Sequence, residues 1–155
     1  MEANETEVRA EDGRAFAARN PVLIRDLTLN DLTRHILGAA IEVHRILGPG
    51  LLESVYRRCL CIELGLRNIA HASERRIPIV YKDISLPDHL RLDLIVQNRV
   101  VVETKAVESL AGIHQSQMLT YLKLTGCPAG LLINFNVPRL MDGVKRLINP
   151  AALDR

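Results

Sequence analysis

The sequence predicts an α/β domain with a mixed central sheet flanked by helices, and three observations carry the prediction. Apolar residues recur at helical spacing over 32–64 and 113–125. Short apolar or alternating runs occupy 77–81, 90–96, 100–105 and 131–135, and Gly or Pro punctuates most of the joins between them. A length of 155 residues suits one domain that buries roughly two-thirds of its unfolded surface, so a core forms without staples. That domain is expected over residues 26–150. Residues 1–25, with Glu2, Glu5, Glu7, Glu11 and Asp12 against Arg9 and Arg14 and no periodicity, read as a disordered or loosely docked tail, and 151–155 as a short C-terminal tail.

Thr28, Asn30 and Asp31 offer N-caps for a first helix whose stripe is Leu32, Ile36, Ala40, Val43 and Leu47, and Gly48-Pro49-Gly50 stops it. A second helix is expected from about Leu51 to Leu64, with Leu52, Val55, Cys59 and Leu60 apolar and Gly65 as its C-terminal cap. After a polar link, Ile77-Pro78-Ile79-Val80-Tyr81 reads as an edge strand, since Pro78 has no N–H for a ladder, and Lys82-Asp83 begins the turn out. Residues 90–96 and 100–105 form an antiparallel hairpin around Gln97-Asn98-Arg99. Ile113–Thr125 is a helix closed by Gly126 and Pro128. Its Met118, Leu119, Leu122 and Leu124 face inward, while His114, Gln117 and Tyr121 line a separate polar strip. Leu131-Leu132-Ile133-Asn134-Phe135 is a buried strand reached through that helix, and so parallel to its neighbour. The stretch from Leu140 to Asn149 fits a helix through Leu140, Met141, Val144 and Ile148, or a strand through Val144, Arg146 and Ile148.

Composition excludes some functions. A net charge of +2, no Trp and 3% aromatic residues argue against a broad basic surface or a base-stacking platform, so any phosphate contact must be local. Cys59, Cys61 and Cys127 read as reduced core thiols, because Cys59-Leu60-Cys61 has neither the spacing nor the His companions of a zinc site. No apolar run is long enough to cross a bilayer and the N-terminus is acidic, so a cytoplasmic protein with no membrane partner is expected.

Chemistry concentrates in the central hairpin. Asp93 lies within Leu90-Arg91-Leu92-Asp93-Leu94-Ile95-Val96 and Glu103 within Val100-Val101-Val102-Glu103-Thr104-Lys105, and an acid in an apolar run is costly unless a cation offsets it. Strand alternation puts Glu103 and Lys105 on one face. Loop parity then decides where Asp93 lies: a two-residue loop sets it opposite Val102, whereas a three-residue loop sets it opposite Glu103. With the odd loop, two carboxylates and an ammonium make a divalent-metal site with a cationic partner. The competing interpretation is a structural salt bridge between Asp93 and Lys105 across the hairpin.

The order helix, three strands, helix, strand, with an acid in the second strand and Glu-x-Lys in the third, resembles the PD-(D/E)XK nuclease superfamily with its restriction-endonuclease-like core. Within it, Gly50-Leu51-Leu52-Glu53-Ser54-Val55-Tyr56 is similar to the motif that names the GxxExxY protein family. His44 to Gly50, Val102 to Val107, Gln117 to Leu122 and Leu132 to Phe135 resemble the rest of that family's pattern, so the likeness covers about Leu27 to Asn149. It implies that Asp93 and Glu103 are metal ligands and Lys105 the catalytic lysine. It also makes Glu53 a helix acid near the metal or a water, and sets Gln117 and Tyr121 beside the site. Leu92 stands where the superfamily's name has a proline, a common departure.

The implied activity is Mg²⁺-dependent phosphodiester hydrolysis in DNA or RNA, with Mn²⁺ as a possible substitute. Mg²⁺ keeps several waters, so Asp93, Glu103 and the Thr104 carbonyl would suffice as protein ligands. Each role has a plainer rival: an acid in the first turn is favoured by the helix dipole alone, which suffices for Glu53, and Gln117 and Tyr121 could simply face solvent. His44 and His114 read as neighbours of the site or surface residues. Two further readings stay open: a nuclease-fold binding or assembly module without autonomous activity, and a subunit that needs a homo-oligomer or partner protein.

Overall fold

Thr28 starts the first helix by accepting the Asp31 N–H at 3.1 Å on its side-chain oxygen, which satisfies one of the donors a helix start leaves open. The computed structural model describes residues 27–153; the tail expected at 1–25 lies outside them. Helix α1 spans Leu29–Leu47 and buries Leu32, Ile36, Ala40 and Val43 along the expected stripe. Gly48 ends it with a φ of 67°, a left-handed value that suits glycine.

Helix α2 spans Glu53–Leu66. Its buried side is Tyr56, Leu60 and Leu64, whereas Leu52, expected within the helix, is the N-cap and is exposed. Gly65 is not the cap. Arg67 takes that place, its backbone N–H bonding Glu63 O and its side chain bonding Glu63 at 2.9 Å, so the helix runs on through the glycine.

Strand β1 covers His71–Tyr81 and β2 Ile84–Val96, a hairpin longer than the sequence suggests. Most of residues 72–76 and 80–89 are exposed, so main-chain pairing holds these arms without the apolar alternation by which strands are read. Lys82 and Asp83 turn the chain with φ of 48° and 64°. Strand β3, Val100–Lys105, pairs antiparallel with β2 and parallel with β4, Ala129–Asn134. Helix α3, Gly112–Thr125, makes the crossover and ends at Gly126 in the left-handed conformation. A 3₁₀ turn at Leu140–Gly143 leads into β5, Val144–Ile148, so the strand interpretation of the tail holds over those five residues. Pro150–Leu153 adds a one-turn helix, α4. The sheet order is β1-β2-β3-β4-β5, which puts the Pro78 strand at an edge as expected.

This is an α/β fold: a mixed five-stranded sheet with helices on both faces. Leu94, Val96, Val100, Val102, Leu131 and Ile133 pack against α1 and α2, while Ile95, Val101 and Leu132 pack against α3. On α3 the inward stripe is Met118, Tyr121 and Leu122; Leu119 and Leu124 are exposed, and Tyr121 leaves the polar strip because it lies on the same face as Met118. Gly130 permits that packing, since a Cβ there would come within 2.4 Å of Met118 Sδ. The three thiols are free, Cys127 buried and the other two at the partly covered margin of the core. No helix among the described residues is long and apolar enough to cross a membrane.

Tyr56 ties the two helices together. Its ring stacks on Phe135 with centroids 4.5 Å apart, and its hydroxyl donates to Gly48 O at 2.5 Å while accepting the Leu51 N–H at 3.1 Å. The Gly48–Leu51 turn, and with it the start of α2 at Glu53, is pinned by one buried oxygen. Tyr56→Phe leaves two turn groups without a partner and should cost about 1–3 kcal/mol in urea unfolding at an unchanged m-value.

Candidate active site

The loop of the central hairpin is three residues long. Val96 pairs with Val100, Ile95 with Val101 and Leu94 with Val102, so Asp93 comes level with Glu103 as parity required. There the main-chain ladder stops and side chains take over. The Asp93 N–H donates to Glu103 Oε1 at 3.0 Å, and the Thr104 N–H and hydroxyl both donate to Asp93 Oδ2, at 2.9 and 3.0 Å. Each carboxylate is thus held by the other's strand. The N–H and C=O of one strand residue point to the same side, so the Thr104 carbonyl also faces β2.

Glu103 is 5% exposed. Burial, and then the Asp93 charge, push its carboxyl up to about 8, against the pull of the Asp93 N–H and of Lys105. Val101 packs toward α3, so alternation sends Glu103 and Lys105 to that side as well. Tyr121 meets them there: burial and the charges of Glu103 and Asp93 raise its hydroxyl to about 12. Glu53 opens α2 and is half-buried; burial raises its pKa, Asp93 adds to the shift and Lys105 opposes it. Gln117 is exposed, one turn from Tyr121, and no hydrogen bond ties it to the acids among the described residues. His44 bonds Val137 O at 2.8 Å, and His114 accepts the Ala111 N–H at 3.0 Å; both hold chain in place.

Among the described residues the ion pair of Asp93 is with Arg57, Oδ1 to Nη1 at 3.8 Å, and not with Lys105. The cross-hairpin salt bridge that competed with the metal site is therefore not formed. Arg57 also reaches Glu74 Oε1 at 3.1 Å, and Arg91 reaches the same oxygen at 3.0 Å. Glu74 lies between the register partners of Leu94 and Leu92, hence across from Asp93, with φ of 53°. Asn134 is buried beside Lys105 in the β3–β4 register, accepting the Val107 N–H at 3.1 Å and donating to Val107 O at 2.9 Å, which fixes the chain as it leaves Lys105. Arg57, Glu74 and Asn134 were absent from the sequence-derived site. The helical spacing of Arg57, one turn after Glu53, was a usable signal; the position of Glu74 in a polar link was not.

No group of three or more His, Cys, Asp or Glu side chains forms a ready metal cage among the described residues. The donor set is instead the carboxylates of Asp93 and Glu103, which bridge β2 and β3, with the Thr104 carbonyl turned toward β2. Hard oxygens in that number suit Mg²⁺, which completes its shell with water, and a carboxyl pushed up by burial and by a neighbouring acid, as Glu103 is, is what a divalent cation relieves.

A family model described as the PD-(D/E)XK nuclease superfamily matches residues 30–147. Neither the curated proteins nor the solved structures offer a significant match.

The position of Glu103 makes stability depend on pH. Its folded pKa of about 8 exceeds the ordinary 4.5, so in chelator its contribution is fully present below pH 4.5 and is lost as pH rises through 8. Glu103→Gln keeps an oxygen for the Asp93 N–H and drops the charge. Its melting temperature at pH 8 should exceed wild type by roughly 3 °C, the equivalent of about 1 kcal/mol, with the gap closing by pH 4.5.

Proposed function

The chain belongs to the PD-(D/E)XK nuclease superfamily, and from that premise we propose that it is a Mg²⁺-dependent nuclease hydrolysing phosphodiester bonds in DNA or RNA. The observation that carries the proposal is the crossed pair of Asp93 and Glu103, each carboxylate bound to the other's strand, with Lys105 on the face of Glu103 and unpaired with Asp93. A structural salt bridge has no use for the second acid. The GxxExxY assignment within the superfamily rests on Gly50, Glu53 and Tyr56, and the hydroxyl clamp of Tyr56 supplies a physical reason for that tyrosine's spacing from Gly50.

Asp93, Glu103 and the Thr104 carbonyl would hold the cation, with Mn²⁺ a chemically similar substitute. Bound there, Mg²⁺ would withdraw charge from the phosphoryl oxygens and would lower the pKa of a water. Lys105 hydrogen-bonds the attacking water and meets the negative charge that develops on phosphorus-bound oxygen. Glu53, whose raised pKa reflects burial, orients a water from the helix side. Tyr121 keeps its proton at neutral pH and so acts as a donor. Gln117, exposed at the rim, meets the substrate from solvent.

A second reading, an assembly module or a subunit active only as a homo-oligomer or with a partner protein, draws on the tip of the β1–β2 hairpin. Val80, Tyr81 and Ile84 are 56%, 62% and 63% exposed there. Lys105→Ala separates the readings. Binding of nucleic acid should weaken only modestly, whereas cleavage with Mg²⁺ or Mn²⁺ should fall by roughly two or more orders of magnitude. Equal inertness of wild type and variant on single- and double-stranded DNA and RNA, at concentrations that allow self-association, would rule out an autonomous nuclease and favour the assembly reading.

A further inference from the structure

Beside the paired acids, two guanidinium groups converge on a single oxygen. Arg57 Nη2 and Arg91 Nη2 lie 3.1 and 3.0 Å from Glu74 Oε1, and the other arm of Arg57 faces Asp93 Oδ1 at 3.8 Å. A solvent-open hollow of about 410 Å³ adjoins them, lined by Arg57, Arg58, Ser73 and Glu74 among others. Its walls therefore carry more cationic groups than anionic ones.

Stability does not explain this arrangement. The side chains of Glu74 and Arg91 are 42% and 62% exposed, and ion pairs so open to water add little to folding. Glu74 nevertheless holds a left-handed backbone conformation, φ 53°, unusual for a residue with a side chain and costly within a strand. A backbone strained to aim one carboxylate at two arginines makes more sense if that carboxylate stands in for another anion. Carboxylate and phosphodiester groups each present two oxygens and one negative charge, and guanidinium groups take both in the same forked geometry.

We propose that Arg57 and Arg91 are a clamp for a backbone phosphate of the nucleic acid and that Glu74 occupies the phosphate's place until substrate arrives. The exchange conserves charge: one carboxylate swings out to solvent, one phosphodiester takes its bonds. Because Arg57 touches both Glu74 and Asp93, the captured phosphate lies one guanidinium away from the paired acids, next to the bond to be cut. The clamp deepens the nuclease proposal and rests on its claim that this site receives nucleic acid.

Fluorescence anisotropy on the full chain in chelator, with labelled single- and double-stranded oligonucleotides, reads the clamp without cleavage. Glu74→Gln should tighten binding by roughly three- to tenfold, since an uncharged amide competes less well with phosphate. Arg91→Gln should weaken binding and flatten the slope of log K against log salt by about one, the signature of one lost phosphate contact. A folded Glu74→Gln that binds no more tightly than wild type overturns the clamp, as does an Arg91→Gln with an unchanged salt slope; the latter decides alone if Glu74→Gln does not fold. Cleavage assays keep the two claims apart. Tighter binding by Glu74→Gln without turnover by wild type upholds the clamp and defeats catalysis, whereas turnover with an indifferent Glu74→Gln does the reverse.

Discussion

A buried acid, Glu103, and a half-buried one, Asp93, each bound to the other's strand, set the terms for the rest of this structure. An acid with 5% of its surface exposed loses most of its hydration, and a second acid across the hairpin adds repulsion, so the pair persists only where the surroundings supply fixed compensation. Here the compensation comes first from the backbone. The N–H groups of Asp93 and Thr104, which would otherwise continue the β2–β3 ladder, turn to the carboxylates instead. Giving up regular pairing at the open end of the hairpin is what lets two acids sit where the otherwise apolar strands β2 and β3 part.

The remaining elements hold that end rigid. Parallel pairing of β3 with β4 sets Lys105 beside Asn134, whose side chain fastens Val107 from both directions, so the lysine's backbone is anchored after it as well as before. From the other face, Phe135 stacks on Tyr56, and Tyr56 pins the turn that launches α2 with Glu53 as its first residue. Residues remote from any proton transfer thereby decide where three charged groups stand. Side chains locked by packing and by outer hydrogen bonds are the general requirement for a site that must not reorganise during reaction.

Much of this was legible in the sequence because it depends on periodicity and parity. The apolar stripe of α1, the crossover helix and the parallel β4 follow from spacing alone, and parity made the alignment of Asp93 with Glu103 depend on an odd loop, which residues 97–99 supply. The errors have separate physical causes. Where side chains are exposed, as along His71–Arg76 and Ile84–His89, main-chain pairing carries the strand and leaves no mark in the apolar pattern. Tyr121 was placed on a polar strip by its hydroxyl, although burial followed its ring. Arg57 was missed although it follows Glu53 by one helical turn, and Glu74 was missed because its partnership crosses elements and has no local spacing to reveal it.

Arg57 has two partners, Glu74 and Asp93, and one charge to divide between them. Without a cation at the acids, its contact with Asp93 partly neutralises a carboxylate that Glu103 already destabilises, and its contact with Glu74 ties β1 to α2. Both contacts stabilise a resting arrangement and neither is deeply buried, so each can be exchanged at modest cost. An arginine held weakly by two acids is easily recruited by a third anion. Divided pairing and a long flexible stem suit it to meeting a phosphate at the edge of the site.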